Sequence, residues 1–93
     1  MRHRIRRMLS HNFNQHYFKP RGIPLHQLDE VKISDEELET LRLRYQEGKN
    51  QYQAAKSMKL SQSQYQRDLT KALEKITDAL INGKAIAIEK KSN

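Results

Sequence analysis

Six polar side chains recur at helical spacing in the C-terminal half of this 93-residue chain: Gln62, Ser63, Gln66, Arg67, Thr70 and Lys71. Residues three and four apart are neighbours on a helix surface. These types can read base edges: Gln pairs with adenine, Arg with guanine, and Ser and Thr are less selective. Lys71 and Lys75 have the length to reach phosphates. A second cluster lies at the other end, where Arg2, Arg4, Arg6 and Arg7 flank His3. Such density exceeds what solubility needs. It suits an arm that follows phosphates or enters a minor groove. Any solvated helix also shows a polar face, so the weight falls on the elements that position this one.

Ser34-Asp35-Glu36-Glu37 is a capping box that starts a helix, with three carboxylates in its first turn. Leu38, Leu41 and Tyr45 then form one face at helical spacing. Leu43 lies about 140° from Leu38 and is expected to meet the N-terminal segment or a partner chain. Gly48 ends this helix. Asn50 caps the next, with Gln53 at N3; Tyr52, Ala55 and Met58 are expected inside, and Ala54-Ala55 permits close helix approach. Ser61 and Gln64 open the last helix, whose stripe of Tyr65, Leu69, Ala72, Leu73, Ile76, Ala79 and Leu80 runs towards Gly83. A tight turn at Lys59-Leu60-Ser61 joins the last two helices, which is the layout of a helix-turn-helix. Met58, Leu60 and Tyr65 would lock its angle, and the last helix would enter the major groove.

The ends read differently. Residues 1–33 show no helical period, and Pro20, Gly22 and Pro24 make an ordered loop, with Tyr17 and Phe18 as its expected aromatic anchors. Val31-Lys32-Ile33 suggests a short extended piece, and residues 85–88 a short strand or docked extension. The expected fold is therefore mainly α. It is a small helical domain with a helix-turn-helix, a long C-terminal helix, a basic N-terminal arm and one or two short strands at the ends. Its segments are 1–33 (arm and loop), 34–83 (helical core) and 84–93 (tail).

The net charge of +7 is unevenly placed. Residues 1–33 carry +5, residues 34–50 carry −2 and residues 51–93 carry +4. A basic front and rear around an acidic middle suggest a polyanion-binding surface. Leu, Ile, Val and Phe make up 20 of the 93 residues, just above the level at which charged chains tend to be disordered. There is no Cys, which excludes disulfides, Cys-based zinc sites and a thiol nucleophile. The longest strictly apolar run is four residues, far short of a membrane span. Met8-Leu9 gives way at once to Ser10-His11-Asn12, so no secretory signal is expected. A mitochondrial targeting segment would be Arg-rich too, but also Ser-rich, and Ser10 is the one Ser before residue 34.

In linked order, these pieces resemble a known family. They are the Arg-rich start, Phe18-Lys19-Pro20 with Gly22, Asp35-Glu36-Glu37-Leu38-Glu39, Leu41-Arg42-Leu43 and Glu47-Gly48. Ala54-Ala55, Leu60-Ser61, Arg67, Leu69, Ala79-Leu80 and Gly83-Lys84-Ala85 follow. The chain resembles small prokaryotic proteins of uncharacterised role with a helix-turn-helix like region four of sigma factors. The resemblance implies a helix-turn-helix over about residues 50–72 and DNA as partner. Three positions depart from it. Lys59 stands where relatives usually have Gly, which asks a non-Gly residue for positive φ. Gln62-Ser63-Gln64 replaces a more typical Arg-Gln-Thr, so a relative's target site does not transfer. The Cys that many relatives carry in the arm is missing, so no thiol or metal role transfers with it.

Other chemistry finds little footing. His3, His11, His16 and His26 match no common metal-ligand spacing. No phosphate loop, nucleophile elbow or HExxH is present, and the acidic cluster is explained as a helix start. The expected function is sequence-specific binding of double-stranded DNA by a transcriptional regulator, with no enzymatic activity, cofactor or metal. Expected partners are double-stranded DNA, a second copy in a homodimer and a contact with RNA polymerase, with no membrane. The expected location is cytoplasmic and nucleoid-associated. The alternatives are a polymerase-docking protein module, through Leu43 and the apolar tail, and an RNA-binding protein.

Overall fold

A computed structural model describes residues 17–91. The arm residues Arg2, Arg4, Arg6 and Arg7 lie outside the described residues, as do His3, His11 and His16. The described fold is mainly α, with a long C-terminal helix and short strands. In chain order the elements are β1 (Tyr17–Phe18), β2 (Glu30–Ser34), α1 (Asp35–Leu41), α2 (Gln51–Ser57), α3 (Gln62–Asn82) and β3 (Ala85–Glu89). A 3₁₀ turn at Leu25–Gln27 follows Pro24 and carries His26.

The three strands form one sheet in the order β1-β3-β2. β3 pairs in parallel with β2, Val31 opposite Ile86, and antiparallel with β1, Tyr17 opposite Ala87. The tail is thus the central strand. Parallel strands covered on both faces read as continuous apolar runs, and Ala85, Ala87 and Ile88 are all buried. β2 alternates instead: Val31 and Ile33 point inward and pack with Ala79 of α3, joined by Leu38, Ile76 and Ile86. The sheet joins the first sequence segment to the last, with only Ser34 from the middle one. Tyr17 and Phe18 do not anchor a loop in the core: both pair with β3 at the edge of the sheet and are exposed.

Ser34 starts α1 by the expected reciprocal cap. Its hydroxyl accepts from the Glu37 amide at 3.1 Å, and a Glu37 carboxylate oxygen accepts from the Ser34 amide at 3.0 Å. Beyond Leu41 the helix widens into a π turn over Arg42–Gln46, closed by the Glu47 amide donating to the Arg42 carbonyl. The buried face is not the expected one. Leu43 is 2% exposed and sits in the core with Ala54, Ala55, Met58, Tyr65 and Leu69, whereas Tyr45 is 63% exposed. Glu36, Glu39, Thr40 and Leu43 recur at helical spacing and are all buried, so the inner face runs through them and Tyr45 falls on the opposite side.

Leu43 is therefore taken up by the core, and the apolar residues of the tail are held in the sheet. The buried acidic residues serve the fold. The Arg42 guanidinium donates twice to Glu39 at 2.8 and 2.9 Å, and its pKa is raised chiefly by that bond. An Asp35 carboxylate oxygen accepts from the Lys91 amide, tying the chain beyond β3 to the start of α1.

Candidate nucleic-acid interface

A seven-residue helix such as α2 cannot hold its angle to α3 by propensity; the turn between them must. Asn50 caps α2 with a second reciprocal box, through the Gln53 amide and side chain. At its C-terminus Lys59 takes φ of +57°, the only non-Gly residue among those described to do so. The Leu60 amide donates to the Ala55 carbonyl and the Lys59 amide to the Lys56 carbonyl. This is the Schellman pattern that usually employs Gly. Lys59 thus adopts the left-handed conformation expected of a Gly position. Ser61 then caps α3, accepting from the Gln64 amide at 3.1 Å.

Below the turn sits the core that fixes the pair. Ala54 and Ala55 are buried as expected, and their small size lets α2 approach α3. Met58 and Tyr65 are fully buried, and Leu60 packs against them. The Tyr65 hydroxyl donates to the Thr40 carbonyl at 2.7 Å, linking α3 to the end of α1. Burial pushes the Tyr65 pKa up to about 12. Tyr52 was expected inside but is 57% exposed. With Ala54, Ala55 and Met58 inward, residue 52 falls about 115° from the centre of that face.

All six candidate readers are exposed along the N-terminal part of α3. Gln66 donates to the Thr70 hydroxyl at 3.1 Å, and Arg67 donates to the Gln64 side-chain oxygen at 2.8 Å. Such exposed bonds are cheap to exchange for a ligand's. Gln64, Gln66, Arg67, Asp68, Thr70, Lys71 and Glu74 line a shallow cleft along this face. Lys71 belongs to the cleft. Lys75 does not: its ammonium binds both Glu37 carboxylate oxygens, at 2.8 and 3.1 Å. The expectation that Lys75 reaches phosphates therefore fails, because the α1 cap already holds it.

Beside the readers, Tyr52, Lys56, Lys59 and Gln62 border a second depression across the turn. Tyr52 and Lys56 were not among the expected site residues. Their sequence signal was the burial of both alanines, which turns residues 52 and 56 outward. No group of His, Asp or Glu suited to hold a metal exists among the described residues. No described helix is long and apolar enough to cross a membrane.

Fold and surface define a small, mainly helical domain that presents a polar helix face beside a tight turn. The chain belongs to the family described as "Protein of unknown function DUF134", whose model it matches over residues 1–92. It is 51% identical over 76 residues to a UPF0251 protein of Caldanaerobacter subterraneus, covering 82% of this chain and 64% of that one. A UPF0251 protein of Methanosarcina mazei is 44% identical over 89 residues, covering 96% of this chain and 54% of its own length. One from Dehalococcoides mccartyi is 51% identical over 73 residues, covering 78% of this chain and 62% of its own. The chain thus spans between about half and two thirds of the length of these relatives. No solved structure matches it.

Proposed function

We propose that this domain binds double-stranded DNA sequence-specifically, with α2, the Lys59 turn and α3 acting as a helix-turn-helix like that of sigma region four. One observation carries this most: the six candidate readers all lie outside the core while the side chains beneath them are fully buried. Their orientation is set by packing, as a reader's must be. α3 enters the major groove, where Gln62, Gln66 and Arg67 meet base edges. Lys71 contacts phosphates on one side, and Lys56 and Lys59 do so across the turn. Arg2, Arg4, Arg6 and Arg7 supply further phosphate contacts. The protein acts as a transcriptional regulator at the nucleoid, and no catalytic step is part of this function.

Charge pairing supports the same surface. Glu37 and Glu39 are engaged by Lys75 and Arg42 inside the domain, so the acidic middle of the chain does not oppose the basic ends. The test is titration of duplex DNA at rising salt. Neutralising about six phosphates gives log K falling with log salt at a slope near −5. A salt-independent shift, or none at low salt, contradicts it. Structured RNA competing as well as duplex DNA at equal salt would move the reading to RNA.

A further inference from the structure

Helix α3 changes character halfway along its outer side. Leu73 and Leu80 were expected in the buried stripe but are 38% and 73% exposed, and Ile81 beside them is 76% exposed. With Thr77 they form one apolar strip, at steps of four, three and one residues. Two acids flank it, Glu74 and Asp78, and Asp78 is bound by Lys84 at 2.9 Å.

From this strip we propose that two copies of the domain pair antiparallel through the C-terminal halves of α3, about a two-fold axis at Thr77, and so hold two reading helices one DNA turn apart. This rests on the DNA-binding function above. The strip is self-complementary, as a two-fold interface must be. Leu73 and Ile81 stand four residues either side of Thr77, so each faces the other's level across the axis. Leu73 and Leu80 lie on the same flank and meet there.

The spacing gives independent support. The readers Gln62 to Arg67 centre about 19 Å from Thr77 at 1.5 Å per residue, and about 16 Å when Thr70 and Lys71 are included. Doubling across the axis sets the two reading centres about 32–37 Å apart. Half-sites in successive major grooves lie about 34–36 Å apart. The strip is small beside the roughly 800 Å² per partner of a stable interface. The pair is therefore weak in solution and forms on DNA, where adjacent half-sites raise the local concentration.

Thr77→Cys tests the axis directly, because the chain has no other Cys. Mild oxidation should double the mass of this variant, on duplexes selected from a random pool and at high protein concentration without DNA. Ser57→Cys, on α2, should stay monomeric, and Leu80→Glu added to Thr77→Cys should abolish the cross-link. The selected duplexes should carry inverted half-sites about 10–10.5 base pairs apart. Cross-linking no better than that of Ser57→Cys overturns the pairing, as does selection of single half-sites. If no duplex is retained, the DNA reading fails, and the DNA-free arm still decides the pairing.

Discussion

The two halves of α3 share one inner stripe and differ on the outside. Tyr65, Leu69 and Ala72 in the first half and Ala79 in the second are buried alike. Outside, the first half shows Gln, Ser, Arg, Thr and Lys; the second shows Leu73, Thr77, Leu80 and Ile81 beside Glu74 and Asn82. The fold requires the inner stripe and leaves the outer face free. An outer face that switches from polar to apolar along one helix therefore reports on what the domain touches. It teaches that the hydrophobic content of a helix is not a measure of its burial.

Truncating the two sides should break the symmetry most sharply. Leu69→Ala removes buried carbon from the core below the readers and should cost about 2–5 kcal/mol in chemical denaturation. Leu80→Ala, on the outer strip of the same helix, should change stability by no more than about 0.5 kcal/mol. Equal losses would mean that the outer strip is packed after all.

High pH should find the first half before the second. Tyr65 has a folded pKa near 12 against an ordinary value of 10.0, so its protonated form is favoured in the fold. That stability is fully present below pH 10 and is lost as the pH rises towards 12. It amounts to about 2–3 kcal/mol for such a shift. Tyr65→Phe should lose about 1 kcal/mol at neutral pH, with its bond to Thr40, and show a flatter alkaline decline in thermal melts.

Two lysines one turn apart sharpen the comparison further. Lys75→Met breaks the pair with Glu37 and should lower stability by roughly 1 kcal/mol, Lys75 being about a third exposed, without altering the salt slope of DNA binding. Lys71→Met should do the reverse: unchanged stability and a salt slope reduced by about one. A change of opposite sign is expected at the turn. Lys59→Gly removes a left-handed strain and should stabilise the domain by up to about 1 kcal/mol in denaturation, while weakening DNA binding slightly through the lost charge.

Much of this was legible in the sequence because it is local. The caps at Ser34, Asn50 and Ser61 and the stops at Gly48 and Gly83 each follow from a few adjacent residues, whereas the left-handed Lys59 was implied by the family resemblance alone. What escaped is non-local or breaks the assumed apolar pattern. The inner face of α1 and the turn after it runs through Glu36, Glu39, Thr40 and Leu43; because most of it is polar, the apolar spacing of Leu38, Leu41 and Tyr45 pointed to the wrong side. The central position of β3 depends on pairing with residues more than fifty positions away, to which its own alternation gives no clue. Leu73 and Leu80 were misplaced because small residues at Ala72 and Ala79 bring α3 close to its neighbours and narrow the buried stripe. Of the candidate site, the six readers were legible as a face, but Tyr52 and Lys56 became visible only once both alanines were seen to point inward.

Selection of bound duplexes from a random pool, run in parallel with the unaltered chain and with Arg67→Ala, addresses the reading face most directly. Arg67 is exposed and outside the core, so its loss should leave the fold intact. The unaltered chain should return a defined site, and Arg67→Ala should lose base preference at one position of it, at a cost of about 1–3 kcal/mol. An unchanged consensus from both, or no consensus from either, would contradict the assignment of α3 as the reading helix.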